Sequence, residues 1–452
     1  MRVSEDGATV LRMDVTNLRG AVAAVLTADD EGWDAARAYH SGVGSPVALV
    51  RPTSVDEVAA AVRWAAEAGE PVVVRGGGHS AWGAVPGGLT IDLSAFDDVA
   101  VDGTRVSVGG GATWGAVARQ LAESGVGLSS GDTASVGVGG LTLGGGIGWM
   151  ARAWGLASDQ LVGAQLVTAT GDLLEVSADA EPELFWALRG GGGNFGVVTR
   201  FDFQAHPLTS VVWTVLAPSG NARPVLRALR DLLQDAPRQL TVTYMDVPAM
   251  DPSAPAGATI SACWIGDDEA ASAAALAPLT TLEGVTVTES GVRSYPDILQ
   301  DMPAADPDQP MPGFVGGNTL AVDLSDAMID LLATFREAHS ASVLFLRSLG
   351  GAFADVGQEA GAFPARDATW FAMAGAFDIP GMLDESERAA AEAEWDAIEQ
   401  LGAGVYGNFT TSTDPSWVAR MYPPATLARL TEVKKRWDPR NVFSRTHNVL
   451  PV

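Results

Sequence analysis

Pro71-Val-Val-Val-Arg-Gly-Gly-Gly-His-Ser80 is the stretch that decides the fold, because a short apolar segment runs directly into three glycines and a histidine. The β-branched residues Val72–Val74 predict a buried strand. The glycines, Gly76–Gly78, allow positive φ and let the backbone approach a bound molecule where a Cβ would clash. Successive N–H groups in such a turn form a concavity suited to an anion such as a pyrophosphate. The other interpretation is a plain glycine turn with His79 at the surface.

Composition and charge exclude several classes of protein. The chain has 452 residues, enough for two domains with a core each. It carries 28 Lys and Arg against 55 Asp and Glu, a net charge of −27, and such a surface repels nucleic acids and anionic membranes. Lysine occurs only at Lys434 and Lys435, which excludes a P-loop lysine. The single cysteine, Cys263, excludes an internal disulfide, and the scattered histidines give no metal-ligand spacing, so no metal site is expected.

The sequence predicts neither a secretory signal nor a membrane-spanning stretch. The N-terminal sequence lacks a basic segment followed by an apolar run, and no stretch approaches the ~18 apolar residues that span a bilayer. We therefore expect a cytoplasmic protein without a membrane partner, present as a monomer or a homodimer.

Two styles of sequence divide the chain. Residues 51–210 alternate helical and strand patterns with dense glycine, beginning with an amphipathic helix at Asp56–Glu70. Residues 211–403 alternate strands with alanine-rich helices, which is typical of an antiparallel sheet covered by helices. We expect an α+β fold with a first domain at 1–210, a second at 211–403, and a C-terminal segment at 404–452 that returns to the style of the first.

Two glycine motifs resemble well-known signatures but lack the required context. Gly191–Gly196 matches G-x-G-x-x-G, yet a strand, Val197–Phe203, follows it where a dinucleotide fold requires a helix. Gly127–Gly131 matches G-x-S-x-G, the nucleophile elbow of serine hydrolases. The glycine-rich residues from Asp132 to Gly140 are not expected to sustain the helix that such an elbow needs. A serine hydrolase using Ser129 and a non-catalytic binding module therefore remain as alternative functions.

A third glycine run, Ser135–Gly148, contains seven glycines in fourteen residues. So many glycines cost backbone entropy that a purely structural loop rarely warrants. Close approach to a long, flat or charged ligand is the best physical reason for them. Together with residues 75–80, this run predicts two glycine-rich surfaces that hold one extended cofactor.

Five motifs, in this order, resemble the FAD-linked oxidases of the vanillyl-alcohol oxidase/berberine bridge enzyme-like superfamily. They are RGGGHS (75–80), SVGVGG…GGGIG (135–148), WGLASDQL (154–161), ELFWALRGGGGNFGVVT (183–199) and WDPRNVF (437–443). The resemblance is strong over residues 40–210, good over 404–452 and loose over 211–403. It implies a two-part, PCMH-type FAD-binding domain and a separate substrate-binding domain.

The resemblance also implies residue roles. His79 carries the FAD, bonded through an imidazole nitrogen to the 8α-methyl group of the isoalloxazine, and Asn408 forms a hydrogen bond near the ring. The residues implied in cofactor binding are Arg75, Gly76, Gly77, Gly78, His79, Ser80, Thr133, Val136, Gly137, Gly139, Gly140, Val197, Val198 and Asn408.

Two positions depart from many relatives. Thr133 stands where those relatives have a cysteine bonded to flavin C6, so a single covalent link through His79 is expected. Val136 stands where relatives carry a gatekeeper over the flavin, and a small valine there resembles the members that react with O₂. The expected reaction is hydride transfer from a small organic substrate to flavin N5, with O₂ reduced to H₂O₂. A flavin dehydrogenase, or an oxidative cyclase or rearrangement enzyme of the same fold, is the alternative.

Three residues are candidates for substrate chemistry. Tyr406, in Tyr-x-Asn, is the first candidate for proton handling, and a packed ring with its hydroxyl engaged locally is the alternative. Arg347 interrupts an apolar strand and either clamps a substrate carboxylate or stabilises an enolate, or else forms a structural salt bridge. Tyr244, with Trp264 on a neighbouring strand, forms either an aromatic wall of the site or part of the core.

Overall fold

The computed structural model describes residues 14–40, 42–248, 257–302, 313–379, 383–410 and 412–452. Within these ranges the strands, in chain order, are β1 (Val25–Leu26), β2 (Ala38–Tyr39), β3 (Gly42–Val43), β4 (Ala48–Val50), β5 (Val72–Arg75), β6 (Leu89–Asp92), β7 (Val99–Asp102), β8 (Arg105–Gly109), β9 (Val126–Gly127), β10 (Leu161–Val167), β11 (Leu173–Ser177), β12 (Val197–Gln204), β13 (His206–Pro207), β14 (Val211–Pro218), β15 (Leu240–Val247), β16 (Gly257–Ile265), β17 (Val285–Arg293), β18 (Gly313–Ala321), β19 (Ser342–Ser348) and β20 (Trp370–Asp378).

The α-helices of the same ranges are α1 (Thr16–Ala21), α2 (Trp33–Ala36), α3 (Val55–Ala68), α4 (Trp114–Glu123), α5 (Val138–Leu143), α6 (Ala151–Trp154), α7 (Pro182–Leu188), α8 (Ala222–Asp235), α9 (Glu269–Thr280), α10 (Asp326–Ala338), α11 (Ala352–Asp355), α12 (Glu385–Glu399), α13 (Trp417–Met421) and α14 (Pro424–Trp437). Short 3₁₀ helices lie at Ala81–Ala84, Ala157–Gln160, Tyr295–Ile298, Gln358–Ala360 and Gly407–Phe409. No helix of the described residues is both long and apolar enough to cross a bilayer.

Three sheets form the framework of this mixed α and β fold. A four-stranded sheet has the order β1-β4-β6-β5, in which β4, β5 and β6 are parallel. A five-stranded antiparallel sheet has the order β11-β10-β12-β8-β7. A seven-stranded antiparallel sheet has the order β17-β14-β16-β15-β19-β20-β18, and one of its faces packs against α8, α9, α10 and α12.

The predicted helices and strands are mostly confirmed, to within a few residues. The helix expected at Asp56–Glu70 is α3, whose Ser54 hydroxyl accepts a hydrogen bond from the backbone N–H of Glu57. The helix ends at Gly69, which adopts a left-handed conformation with a φ of 73°. The strand expected between residues 72 and 74 is β5, and its parallel neighbour β6 holds it at the edge of the four-stranded sheet.

One expectation about the third glycine run is wrong. Asp132 to Gly140 were not expected to sustain a helix, but α5 begins at Val138. Val138 and Thr142 are buried in this helix, and Gly139 allows the backbone carbonyl of Gly110 to approach closely. Tertiary packing thus outweighs the low helix propensity of glycine here.

The C-terminal segment is tied to the strand that precedes the first glycine loop. The backbone N–H of Val72 donates to the carbonyl of Val442 over 2.8 Å. The buried ammonium of Lys434 donates to the Asp438 carboxylate over 2.7 Å and to the Asn194 carbonyl over 2.8 Å. A buried charge is stable only when it is paired and fully hydrogen-bonded in this way. The segment after α14 is therefore held beside β5.

Candidate active site

Two glycine-rich segments touch through their backbones. A Cβ added to Gly77 would lie 2.3 Å from the Gly137 nitrogen and 2.6 Å from the Ser135 carbonyl oxygen. A Cβ on Gly76 or on Gly139 would lie 3.3 or 3.1 Å from the carbonyl oxygen of Gly110. Only glycine permits approaches as short as those at Gly77. The structure therefore brings residues 76–78 and 135–139 together, as the sequence predicts.

His79 lies at this junction. Its Nε2 is 3.0 Å from the Ser135 hydroxyl oxygen, and its ring stacks on the His40 ring with centroids 3.7 Å apart and planes 18° apart. Burial is the largest cause that lowers the pKa of His79 to about 4, and the neighbouring His40 lowers it further. A hydrogen bond with the Ser135 backbone raises this pKa, but by less. The imidazole is therefore neutral at pH 7 and keeps a nucleophilic lone pair.

The side chains at the two ends of the first loop are engaged with the protein. The Arg75 guanidinium donates to the Ala36 carbonyl over 2.5 Å and lies 4.8 Å above the centre of the Tyr39 ring. The Ser80 hydroxyl accepts a hydrogen bond from the backbone N–H of Trp82 at the start of a 3₁₀ helix. The Arg75 side chain therefore stabilises the loop through Ala36 and Tyr39. Only the backbone of Arg75 is left to contact a phosphate.

The second segment combines fixed backbone with open space. Ala134, next to Thr133, donates its N–H to the Gln300 carbonyl over 2.9 Å, and the carbonyl of Val136 accepts from the Trp114 N–H over 2.9 Å. A Cβ added to Gly140 would meet no protein atom within 4 Å. The space beside Gly140 is thus open, as a ligand that packs on this segment requires.

Val197 and Val198 begin β12, and both side chains are buried in the core. The carbonyl of Val198 lies 2.3 Å from the position of a Cβ on Gly110, whose own carbonyl faces Gly76 and Gly139. Val198 is therefore close to the glycine segments through its backbone, whereas its side chain contributes to packing.

Tyr406 and Asn408 form a hydrogen-bonded unit. The hydroxyl oxygen of Tyr406 accepts from the backbone N–H groups of Gly146 at 3.2 Å and Ile147 at 3.3 Å, and from Asn408 Nδ2 at 3.0 Å. Burial raises the pKa of Tyr406, and the hydrogen bonds from Ile147, Asn408 and Gly146 act against that rise. Three N–H donors around one phenolic oxygen are an arrangement that stabilises developing negative charge.

Arg347 lies on the same face of the seven-stranded sheet as Phe371, and its guanidinium forms a salt bridge with Asp132. It is only 2% exposed, and its Nη2 donates to the Asp132 carboxylate over 2.7 Å while its Nε donates to the Thr243 hydroxyl over 3.0 Å. The guanidinium also lies 4.7 Å above the centre of the Trp149 ring. The structure therefore shows the salt bridge that the sequence left as the alternative to a substrate clamp.

Tyr244 is not brought to the site. It packs in the core beneath the helices together with Leu240, Val242 and Leu346, and it is 1% exposed. Side chains alternate along a strand, so Tyr244 points away from the face that holds Thr243 and Arg347. Of the two interpretations given for Tyr244 and Trp264, the structure supports core packing, because both residues lie on the helix side of the sheet.

Ser129 lacks the geometry of a nucleophile. It is fully buried, and its hydroxyl donates to the Gly155 carbonyl over 2.7 Å. The two-residue strand β9 precedes it, but the next helix, α5, begins only at Val138. A nucleophile elbow requires the helix to follow at once.

Sequence reasoning missed His447 and Asn448. His447 Nε2 is 3.1 Å from the Gly407 carbonyl, which only accepts, so Nε2 carries the proton and Nδ1 is a bare acceptor. That Nδ1 and the Asn448 Oδ1 are buried, and neither has a hydrogen-bond partner among the described residues. Buried acceptors without a partner, here on consecutive residues, are suited to an N–H donor from a bound molecule. The edge-on packing of His447 against Trp82, at 5.8 Å, places the His447 ring beside the 3₁₀ helix that follows the first glycine loop.

These features fit FAD. The touching glycine segments offer backbone N–H groups to a pyrophosphate, and the open space beside Gly140 admits a flat ring. The buried acceptors of His447 and Asn448 match the imide N–H of an isoalloxazine. His79 supplies a neutral imidazole at the junction.

Comparisons with known proteins agree with the site. Residues 46–177 match the family of the FAD binding domain, and residues 405–450 match the berberine and berberine-like family. The (R)-6-hydroxynicotine oxidase of Paenarthrobacter nicotinovorans is 31% identical over 94% of this chain and 96% of its own length.

Two solved structures extend the similarity to the whole fold. The 6-hydroxy-D-nicotine oxidase of Arthrobacter nicotinovorans superposes with a TM-score of 0.79 at 27% identity, covering 95% of this chain and 98% of that one. A glucooligosaccharide oxidase of Acremonium strictum, with a 6-S-cysteinyl, 8α-N1-histidyl FAD, gives a TM-score of 0.83 at 25% identity, covering 96% of this chain and 99% of that one. The chain therefore belongs to the berberine bridge enzyme-like family of FAD-dependent oxidases.

Proposed function

We propose that this protein binds FAD through one covalent bond to His79 and oxidises a small organic substrate, with O₂ reduced to H₂O₂. The observation that carries the proposal is the neutral imidazole of His79 at the contact of two glycine-rich segments. A histidine with a pKa of about 4 stays unprotonated at neutral pH, so it can attack an electrophilic carbon of the cofactor. Its relative from Acremonium strictum carries a histidyl FAD of this type.

The single link follows from the cysteine content. The Acremonium strictum enzyme has a cysteinyl bond as well as a histidyl one. Here the only cysteine, Cys263, is fully buried in β16, and burial raises the pKa of its thiol far above neutrality. Thr133, in the second glycine segment, offers a hydroxyl that donates to the Asp132 carboxylate over 3.2 Å. A second bond through sulfur therefore has no donor at this position.

Tyr406 is the residue proposed to move the substrate proton. FAD, when bound, accepts the hydride and passes two electrons to O₂. An alcohol that loses a hydride must also lose its hydroxyl proton. Burial raises the pKa of Tyr406, so its phenol first releases its own proton to solvent, and the resulting phenolate then takes the proton of the alcohol. The N–H groups of Gly146 and Ile147 and the Asn408 amide stabilise this phenolate. Asn408 is itself positioned by donating to the Leu141 carbonyl over 3.1 Å.

Oxidase chemistry, rather than dehydrogenase chemistry, is proposed from Val136. Its side chain is half-buried and small, so it would leave more room for O₂ beside a bound flavin than a larger residue at this position. A dehydrogenase or an oxidative cyclase of the same fold is the competing function. In an enzyme of either kind, the substrate would reduce the flavin, and the reduced flavin would reoxidise only slowly in air.

We also propose the division into a FAD-binding part (1–210), a substrate-binding part (211–403) and a C-terminal segment (404–452) that completes the FAD site. It is supported by the seven-stranded sheet, whose strands all lie between Val211 and Asp378. The contacts of residues 442–449 with Val72 and Asn194 support the role of the last segment.

The test compares wild type with His79→Ala and with His339→Ala as a matched control. His339 lies at the end of α10 and pairs with Glu394, far along the chain from the glycine segments. After acid precipitation, wild type and His339→Ala are expected to keep the yellow flavin in the pellet, whereas His79→Ala releases it. Colour in the supernatant for all three proteins would contradict the covalent link. Turnover in air with no peroxide would contradict the oxidase function.

A further inference from the structure

The face of the seven-stranded sheet that looks away from the helices carries apolar side chains, of which Phe345 and Phe371 are buried and Met245 and Met373 are half-buried. Directly opposed residues on neighbouring antiparallel strands share a face. Met245 pairs with Phe345, and Phe345 pairs with Met373. In the adjacent row Arg347 pairs with Phe371. We call Met245, Phe345, Phe371, Met373 and Phe409 the methionine–phenylalanine face.

This face continues into the candidate proton acceptor. The Phe409 ring centre is 4.9 Å from that of Phe371 and 6.0 Å from that of Phe345, and 5.6 Å from that of Tyr406. Tyr406 belongs to the same apolar cluster, in which Met245, Met373 and Phe409 are only half-buried. A substrate that reaches the Tyr406 hydroxyl therefore meets thioether and aromatic surface.

The polar groups beside this face are already engaged. Asn318, opposite Met373, donates to the carbonyls of Tyr406 and Phe409 over 3.2 Å each and accepts the Tyr406 N–H over 2.8 Å. The charge of Arg347 is balanced by Asp132 at 2.7 Å. The described part of this face thus offers a substrate no unpaired charge.

We infer that the substrate is an uncharged, flat, largely apolar alcohol, which lays its ring on the methionine–phenylalanine face and presents its hydroxyl to Tyr406. This inference rests on the proposed function and names its substrate class. Methionine sulfur and phenylalanine rings contact flat aromatic groups favourably. An oligosaccharide would bury several hydroxyl groups against this face without partners, and a charged amine or carboxylate would bury an unpaired charge.

The reaction balances for this class. The alcohol carbon gives up a hydride, with its electron pair, to FAD, and the hydroxyl proton goes to Tyr406, so that the carbon–oxygen bond becomes a carbonyl. O₂ then takes two electrons and two protons and becomes H₂O₂.

The experiment uses holoenzyme and two kinds of probe. 2-Naphthol has the shape and hydroxyl of the inferred class but no oxidisable carbinol, so its binding is measured at equilibrium from the change in the flavin absorbance. Cellobiose is the contrasting probe, and naphthalene-2-methanol tests turnover by flavin reduction without O₂. We expect 2-naphthol to perturb the flavin spectrum at concentrations where cellobiose does not, and naphthalene-2-methanol to reduce the flavin.

Two variants connect the result to the face. Met373→Gln keeps the side-chain length but adds an amide, and it is expected to raise the Kd of 2-naphthol by about tenfold. Val287→Gln is the matched control, because Val287 is 50% exposed on the edge strand β17 of the same sheet. Its Kd for 2-naphthol should equal that of wild type.

The outcomes separate the two proposals. The substrate class is overturned if cellobiose changes the flavin spectrum and 2-naphthol does not. It is also overturned if neither probe changes the spectrum. An equal Kd for wild type and Met373→Gln also overturns it. The oxidase function is tested independently in the same samples, by reducing the flavin with light in the presence of EDTA as electron donor and following peroxide when air is admitted. Peroxide with the wrong probe preference refutes only the substrate class, and absent peroxide refutes the function on which it rests.

Discussion

Replacing Gly77 with alanine tests whether contact between the two glycine-rich segments builds the flavin site. The new Cβ would lie 2.3 Å from the Gly137 nitrogen, and ordinary contact begins at 3.4 Å, so the segments must separate by about 1 Å. The obstacle is backbone, which cannot rotate away as a side chain can. Such overpacking typically costs roughly 1–3 kcal/mol.

That cost appears in one of two measurable quantities. If the segments stay in contact, the strain lowers the free energy of unfolding. If they separate, the phosphate-binding N–H groups of the first segment move, and flavin affinity falls. A loss of roughly 1–3 kcal/mol in affinity corresponds to about a 5- to 150-fold increase in Kd.

The assay must measure reversible binding, so each variant is made in a His79→Ala background. Gly77→Ala is compared with Gly20→Ala, because Gly20 lies exposed in α1 and a Cβ there meets no atom within 4 Å. Urea unfolding gives the stability of the flavin-free proteins, and quenching of flavin fluorescence gives the Kd. The two losses for Gly77→Ala should sum to roughly 1–3 kcal/mol. Stability and affinity equal to those of the Gly20→Ala protein would refute the reasoning.

Three further predictions concern the site. Flavin attachment to the apoprotein should need neutral His79, so its rate should fall only as the pH drops through about 4. His40→Ala should move that midpoint upward, and a wild-type midpoint near the ordinary pKa of 6.5 would contradict the lowered pKa. Tyr406→Phe should slow anaerobic flavin reduction by an alcohol by about 10²- to 10⁴-fold at unchanged flavin content, and an unchanged rate would exclude Tyr406 as the proton acceptor. Arg347→Met should lower the free energy of unfolding in urea by roughly 3–5 kcal/mol, because it leaves the Asp132 carboxylate without its partner. Adding Asp132→Asn should restore part of that loss, and a raised KM for a carboxylate substrate without any loss of stability would instead indicate a clamp.

The local structure around the glycine loops could be predicted from sequence because its signals are local. The apolar run before Gly76 predicted β5, and the amphipathic pattern of Asp56–Glu70 predicted α3. The glycine pattern also indicated that the two segments belong to one site, and the structure shows them in contact, since only glycine tolerates a Gly77-to-Gly137 approach of this kind.

Other parts of the site depend on contacts that the sequence does not reveal. Arg347 interrupts an apolar strand, and this pattern is equally typical of a substrate-binding group and of a structural salt bridge. Only the folded chain shows that Asp132 lies 2.7 Å from the guanidinium. The face on which Tyr244 lies depends on the strand register, which a single strand pattern does not fix. His447 carried no motif, and only the folded chain shows that its Nδ1 is buried without a hydrogen-bond partner among the described residues.

The most direct test of the whole account is mass spectrometry of the peptide that contains His79, taken from flavin-saturated holoenzyme after proteolysis. We predict that this peptide carries the added mass of FAD and that fragmentation locates it on the imidazole. The peptide that contains Cys263 should be unmodified. A yellow, catalytically active protein whose His79 peptide has its unmodified mass would contradict the central claim.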